Sequence, residues 1–534
     1  MTKFVEMGVH MNFIKSMHIE GLQKFKVLDI DFNEHMNVIV GENEAGKSTI
    51  LEAIKIVFNQ QYRNADKSVL KDLFNIDMVE KFKVNPSVST LPYVWIEITL
   101  DLDAKSKNSE YFYGENNKSK TEKFGITFEC RFDKELGAGL DGEIAKGKIP
   151  YEYYYLKWTA FSGLPYAMVK RPFGFIAIDT SNNDTNNSFN YFNRTLFNAK
   201  YSDEQKMSAK NSFRDGIQDA FATLTLDEID KKRYFGINDK KVVLETILSV
   251  YEEGIPLENK GSGMESLIKT HIALDKKKTN LDVILIEEPE NHLCFTNLKK
   301  MLHEIEKNRC DAQIIVTTHS NMIASRLNLN NVIWISNEKA LSLKDVDSEV
   351  AKFFVKADDN SFLQLLLSEK VIFVEGATEF LLMPYIYKKV LGKSVEADRI
   401  SIISCNGISY KNYLKIVEHT EKKIAVITDN DKSQNRINVA EKFNDSNDNH
   451  HVFMDNDINN WTWEACLYND NKEILDGIVK VQKGSDYLVH GINYGKVLGK
   501  MINNKVETAY NLLDQNIDFE VPQYVKEAIL WLNE

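Results

Sequence analysis

The chain reads as an α/β protein of more than one domain: a nucleotide-binding head with a helical insert, followed by a smaller parallel-sheet domain that carries its own acids. Three observations predict this. An apolar strand runs into a glycine-bounded loop and then a helix in Asn37-Val-Ile-Val-Gly-Glu-Asn-Glu-Ala-Gly-Lys-Ser-Thr49. Far downstream the buried strand Val283-Ile-Leu-Ile ends in the paired carboxylates Glu287 and Glu288. From Lys370 onward, strands alternate with helical segments and end at acids, the pattern of a parallel sheet that gathers ligands at its carboxyl ends.

At 534 residues the chain exceeds a single core, so several domains are expected. Its 43% hydrophobic and 27% charged residues are globular proportions, and no apolar run reaches the about 18 residues that suggest a membrane span. The start, Met1 to Phe13, lacks the apolar core of a signal peptide. Five cysteines, Cys130, Cys294, Cys310, Cys405 and Cys466, are odd in number and never spaced C-x-x-C; this argues against a disulfide framework and a structural zinc site. A reduced cytoplasmic protein without a membrane partner is expected. The net charge of -12 speaks against a nucleic-acid coating protein. It leaves room for a metal-dependent nuclease, which concentrates carboxylates at its metal and meets DNA with local patches.

In chain order, Phe13 to Ile19 and Lys26 to Phe32 predict an antiparallel edge, the second alternating Val27, Asp29 and Asp31 against Leu28, Ile30 and Phe32. Gly41, Gly46, Lys47 and Ser48 then fit G-x-x-x-x-G-K-[ST]. Such glycines let backbone N–H groups wrap a phosphate, the lysine reaches the terminal phosphates and the hydroxyl ligates magnesium. Asn43 and Thr49 complete this nucleotide-binding set, and Ile50, Leu51, Ile54, Val57 and Phe58 follow at helical spacing. Strands over Tyr93 to Leu102, Lys123 to Phe132 and Tyr151 to Thr159 predict a β-rich lobe, in which no Q-loop glutamine is assigned. After the strand Gly174 to Ile178, the polar run Ser181 to Ser188 reads as a turn, followed by helix-forming sequence over 187–250.

Three motifs come next. Lys260-Gly-Ser-Gly-Met-Glu265 precedes a helix and resembles a degenerate ABC signature loop, in which Ser262 and Gly263 would cap a γ-phosphate held by a second subunit. Glu287 is placed to hold magnesium through water, and Glu288 to polarise the attacking water. Gln313-Ile-Ile-Val-Thr-Thr-His-Ser320 is another strand, ending in His319, placed to sense the γ-phosphate.

Together with the opening strands, these motifs resemble the ABC-type ATPase of the overcoming-lysogenization-defect (OLD) family and of recombination proteins such as RecF, over roughly residues 12 to 340. Two departures bear on the rate of hydrolysis: Glu287 stands where aspartate is usual, and the signature Gly261-Ser262-Gly263 is worn. The expected parts are an ATPase head over 1–186 and 251–350, a helical dimerisation insert over 187–250, and a second domain over 351–534.

In that second domain, Lys370-Val-Ile-Phe-Val-Glu-Gly-Ala-Thr-Glu379 is a strand ending in Glu375, with Glu379 one turn later. Ile400 to Ser404 and Gly407 form a second strand and turn, and Lys423-Ile-Ala-Val-Ile-Thr-Asp-Asn-Asp431 a third. Period-two spacing is expected to point Asp429 and Asp431 the same way. Oxygen-only clusters suit magnesium or manganese. The order strand-E-G-x-x-E, strand-G, strand-D-x-D resembles the Toprim domain of topoisomerases, primases and OLD-family nucleases. Too little chain follows for a topoisomerase, and the cysteines provide no primase zinc module.

Trp461 to Cys466, Lys505 to Tyr510 and Phe519 to Ile529 resemble the closing segments of OLD-family Toprim nucleases. Residue by residue, the resemblance implies that Glu375, Glu379, Asp429, Asp431 and Glu464 bind two metals and that Lys505 assists. It implies an ATP-regulated, Mg2+- or Mn2+-dependent endonuclease acting on double-stranded DNA as a homodimer or homotetramer. Related proteins act in antiphage defence, including the Gabija nuclease subunit and retron effectors. A DNA clamp switched by ATP, with a non-cleaving Toprim domain, is the alternative. Whether a helicase, a reverse transcriptase with its RNA, or no partner works with it stays open.

Overall fold

The computed structural model describes the chain from residue 11 onward, apart from residues 106–107, 170, 180–184, 225–228, 230–232, 234, 237, 239–241, 276–280, 309–311, 337, 345–360, 406–408, 418–421 and 483–486. Gly407, Cys310, residues 181–184 of the expected turn and the boundary near 350 lie outside the described residues. The chain divides into two units, residues 1–345 and 346–534.

Among the described residues, two six-stranded sheets and the small hairpin Tyr251–Glu252 with Ile255–Pro256 build the first unit. The antiparallel one runs Phe25–Asp31, Phe13–Leu22, Val94–Asp101, Lys123–Phe132, with Tyr113–Gly114 and Tyr154–Ala160 also paired to the last strand. Alternation sets its faces: Phe25, Leu28 and Ile30 are buried while Lys26, Val27 and Asp29 are exposed, and the register sets Ile19 against Leu28 on one side and Ile96 on the other. Tyr151–Tyr153, expected as strand, is a 3-10 turn; Pro150 before it cannot donate to a ladder and fixes its own φ.

The second sheet runs Lys339–Ser342, Val332–Ser336, Met36–Gly41, Gln313–Thr318, Val283–Glu287, Phe175–Asp179, all parallel except the first pair. Its inner strands are buried along their length, as continuous apolar runs require when both faces are covered. Helix Lys47–Asn59 contacts strands of both sheets. Ala53 and Ile56 are buried with the expected Ile50, Leu51, Ile54, Val57 and Phe58, so this helix has almost no polar face. Fully buried Gln313 joins the sheets: its Nε2 donates to the carbonyls of Ile14 at 2.8 Å and Asn33 at 2.9 Å, and its Oε1 accepts from Ile14 N–H at 2.8 Å.

The insert contains helices Thr185–Lys200 and Asp203–Ala222. Residues 185–188, read as turn, are the first turn of a helix. Ser202 and Gln205 form a capping box at the start of the second helix. Beyond Ala222, the helical expectation is met among the described residues only by Leu244–Ile247. No helix among the described residues is long and apolar enough to cross a membrane.

On the antiparallel sheet, Glu20 accepts from Lys118 Nζ at 2.5 Å, His18 Nε2 at 2.9 Å and the Tyr93 hydroxyl at 2.7 Å. Burial acts to raise its pKa, but the bonds from Lys118, His18 and Tyr93 outweigh this and hold it at about 2. A carboxyl held low stabilises the fold above its ordinary 4.5 and loses that contribution as pH falls towards about 2. Glu20→Gln is therefore expected to cost about 1 to 2 kcal/mol at neutral pH. Urea unfolding should show the gap from wild type shrinking steadily below pH 4.5; an unchanged gap at pH 2.5 would mean that the charge is not the stabilising element.

The second unit holds four parallel strands in the order Ile400–Ser404, Lys370–Val374, Lys423–Ile427, His450–Phe453. The fourth was not expected, since His-His-Val-Phe is short and has only one aliphatic residue. From Lys370–Val374 the chain goes first to one neighbour and then to the other, so a topological switch point falls between that strand and Lys423–Ile427. Tyr387, Tyr413 and Trp463 are among its fully buried side chains.

Candidate functional site

In the first unit the phosphate-type loop leaves the carboxyl end of Met36–Gly41, a central strand. Gly46 has φ +99°, and a Cβ there would lie 2.3 Å from the Phe25 ring, so both conformation and space require glycine. Lys47 is buried, and its Nζ donates to the carbonyls of Gly41 at 3.0 Å and Glu42 at 2.9 Å, with His319 Nδ1 at 3.4 Å. Burial lowers the Lys47 pKa, against the pull of Glu288 and Glu290. Asn43 and Ser48 are exposed. The Thr49 hydroxyl donates to Gln23 Oε1 at 2.9 Å.

Strand register brings the downstream motifs to the same edge, with Glu287 opposite Thr317 and Thr318 opposite Val40. The two paired acids then part. Glu287 is buried and meets Lys55 Nζ at 3.2 Å. Glu288, at φ +43°, accepts from Asn291 Nδ2 at 2.8 Å and meets His319 Nε2 at 3.1 Å. His319 thus stands between Lys47 and Glu288. Glu290 Oε1 accepts from the Thr318 hydroxyl and His319 N–H, both at 2.7 Å. Ser262 and Gly263 do not precede a helix but open one, Ser262–Leu274. A Cβ on Gly263 would lie 2.3 Å from the His292 carbonyl, so this glycine lets the helix start pack against the turn after Glu290. Sequence reasoning missed Gln23, Lys55 and Glu290, whose roles appear only once distant segments meet.

In the second unit, acids collect at the switch point. Glu375 follows its strand directly, and Glu379 and Glu464 lie in the first turns of helices Ala377–Leu391 and Trp463–Asp470. Glu375 Oε2 accepts from the Thr428 hydroxyl at 2.7 Å and Asp429 N–H at 3.1 Å. Asp429 Oδ1 accepts from Trp463 N–H at 2.9 Å. Glu464 Oε2 accepts from the Thr462 hydroxyl at 2.8 Å and meets Lys505 Nζ at 3.3 Å. Burial, helped by Glu464 and Glu375, raises Glu379 to about 7; burial with Glu375, Glu379 and Glu464 raises Asp429 to about 7. Lys505 is held above the ordinary lysine value, because Glu464, Asp429 and Glu379 outweigh its burial.

Asp431 departs from expectation. The strand ends at Ile427, Asp431 sits at φ +49° in a left-handed turn, and its carboxylate pairs with Arg436. Period-two spacing does not apply outside a strand. Asn430, between the two aspartates, is buried and its Nδ2 donates to the carbonyls of Asp455, Asp457 and Asn460.

Among the described residues no three His, Cys, Asp or Glu side chains enclose a metal position as they stand. The donor chemistry nevertheless fits a hard cation. Glu375, Glu379, Asp429 and Glu464 are all oxygen donors, and two of them resist ionisation because they are buried together.

Residues 16–309 match the AAA domain family, and residues 366–431 match the family described as overcoming lysogenization defect protein-like, TOPRIM domain. The first match spans more than half of the 534 residues, so the chain belongs to the AAA-domain family. An OLD-like TOPRIM domain follows the AAA domain, an order similar to that expected of OLD-family proteins. It is 24% identical over 203 residues to the Old nuclease of Escherichia phage P2, covering 35% of this chain and 34% of that protein. It is 22% identical over 336 residues to the endonuclease GajA of Bacillus cereus, covering 48% and 49%. A 41-residue stretch is 42% identical to the DNA replication and repair protein RecF of Lachnospira eligens, 8% and 11% of the two chains. The matches thus span about a third to a half of the first two relatives' length.

Proposed function

We propose that this protein is a nucleotide-regulated, metal-dependent DNA endonuclease, with ATP bound at the loop around Lys47 and phosphodiester cleavage at the acids around Asp429. The observation that carries the reading is the packing of buried Glu379 and Glu464 with half-buried Glu375 and Asp429 at a switch point, beside the Lys505 ammonium. Two of the relatives, the Old nuclease and the endonuclease GajA, are named for an activity that agrees with it. Glu375, Glu379, Asp429 and Glu464 would hold Mg2+ or Mn2+; Asp431 would join them only by leaving Arg436. When bound, such ions supply Lewis-acid polarisation of a phosphate and an activated water. Lys505 would then stabilise charge that builds on the phosphate oxygens in the transition state. The worn signature motif favours ATP as a gate rather than as fuel. A second subunit, double-stranded DNA as substrate, and a role in antiphage defence belong to the same proposal. Purified protein should nick supercoiled plasmid in magnesium and not in EDTA; DNA binding without any cleavage would leave only a clamp.

Lys505→Ala should lower the cleavage rate at saturating DNA by about a hundred- to a thousandfold, the usual effect of losing one transition-state donor. Lys500 is already engaged with the Lys480 carbonyl at 2.7 Å, and Lys496 is exposed, so their alanine variants should change affinity more than rate. A near-normal rate for Lys505→Ala would make this lysine a phosphate-positioning group.

A further inference from the structure

Beside these acids lies a cluster that the cleavage chemistry does not use. Lys432, Trp461 and Tyr494 come from three segments: the left-handed turn at Asp431 and Lys432, the stretch before helix Trp463–Asp470, and the turn after the short strand Ile492–Asn493. The two rings are 5.3 Å apart and tilted by 44°. The Lys432 ammonium is 4.6 Å from the centre of the Trp461 ring and 4.5 Å from that of Tyr494, and donates to the Tyr494 hydroxyl at 2.5 Å. Lys432 is exposed and both rings are half-buried.

Backbone bonds tie this cluster to the acids. Asp431 N–H donates to the Trp461 carbonyl at 3.1 Å, and Trp463 N–H donates to Asp429 Oδ1 at 2.9 Å. The segments 429–432 and 461–463 are therefore laced together, and the aromatic pair sits at the rim of the carboxylates.

We propose that Trp461, Tyr494 and Lys432 form a stacking platform that holds an unpaired nucleobase beside the scissile phosphate, so that the site prefers DNA with unpaired nucleotides to uninterrupted duplex. This rests on the nuclease reading of the acids. Four carboxylates repel a DNA strand, so a strand needs an attractive handle at their rim. A base within a duplex has no free face, whereas an unpaired one stacks on an aromatic ring whatever its identity. The ammonium between the rings meets the adjoining phosphate. Each stacked base contributes about five- to a hundredfold in affinity.

The test is fluorescence anisotropy with the full chain in EDTA, comparing a short oligothymidylate with a blunt duplex hairpin. Trp461→Ala and Tyr494→Ala should each weaken oligothymidylate binding by about five- to a hundredfold, with a smaller loss for the hairpin, and Trp461→Phe should retain most of the affinity. Unchanged oligothymidylate binding in both alanine variants, or equal losses for the two DNA forms, would reduce the cluster to a clasp for the hairpin Leu488–Asn493 and overturn the proposal. The same wild-type preparation is assayed for plasmid nicking in magnesium. Nicking with platform-independent binding removes the platform alone, whereas platform-dependent binding without nicking removes the nuclease reading and with it the cleavage role of the platform.

Discussion

Asp429→Ala is expected to abolish DNA cleavage, with plasmid nicking in magnesium falling by about a thousandfold or more, at the upper end of what one transition-state contact supplies. Asp429 lies at the switch point, where its carboxylate is crowded by Glu375, Glu379 and Glu464. A cation bound there needs carboxylate charge to match its own. The fold should survive, because the substitution removes one of several mutually repelling acids and leaves the Trp463 N–H and the Thr462 hydroxyl without that acceptor, the hydroxyl keeping its bond to Glu464. Asp429→Asn separates the two contributions, since it keeps an oxygen for Trp463 and loses the charge. Thermal unfolding and ATP hydrolysis are measured on the same preparations. Wild-type nicking by Asp429→Ala would place the chemistry elsewhere.

Lys47→Ala should abolish ATP binding. Its ammonium is buried at the loop and held on the carbonyls of Gly41 and Glu42, within reach of whatever phosphate the loop enfolds. Truncating one partner of a buried charge pair costs about 2 to 5 kcal/mol, or roughly thirty- to several-thousand-fold in affinity. Glu288→Gln should keep binding and slow hydrolysis, since Glu288 is linked through His319 to the loop lysine. Titration calorimetry reads binding, and nicking assays on both variants show whether cleavage follows nucleotide occupancy. If Lys47→Ala binds ATP like wild type, the loop around it is not a phosphate site.

The loop and its flanks were legible in the sequence because they are contiguous: strand, glycines, lysine and helix lie within Asn37 to Phe58. The same holds for Glu375 with Glu379, and for the apolar strands that end in Glu287 and His319, since periodicity reports which face of an element is buried. It does not report partners. That Gln23 meets Thr49, that Lys55 takes Glu287, and that Glu290 holds Thr318 and His319 depends on which strands became neighbours. Nor could spacing show that the strand stops at Ile427, so that Asp431 turns into a left-handed conformation and pairs with Arg436 while Asp429 stays with the acids. Local pattern thus marked the groups that carry chemistry. Their charges, partners and orientations were decided by tertiary packing, because burial and neighbouring charge arise only when segments hundreds of residues apart close onto one sheet edge.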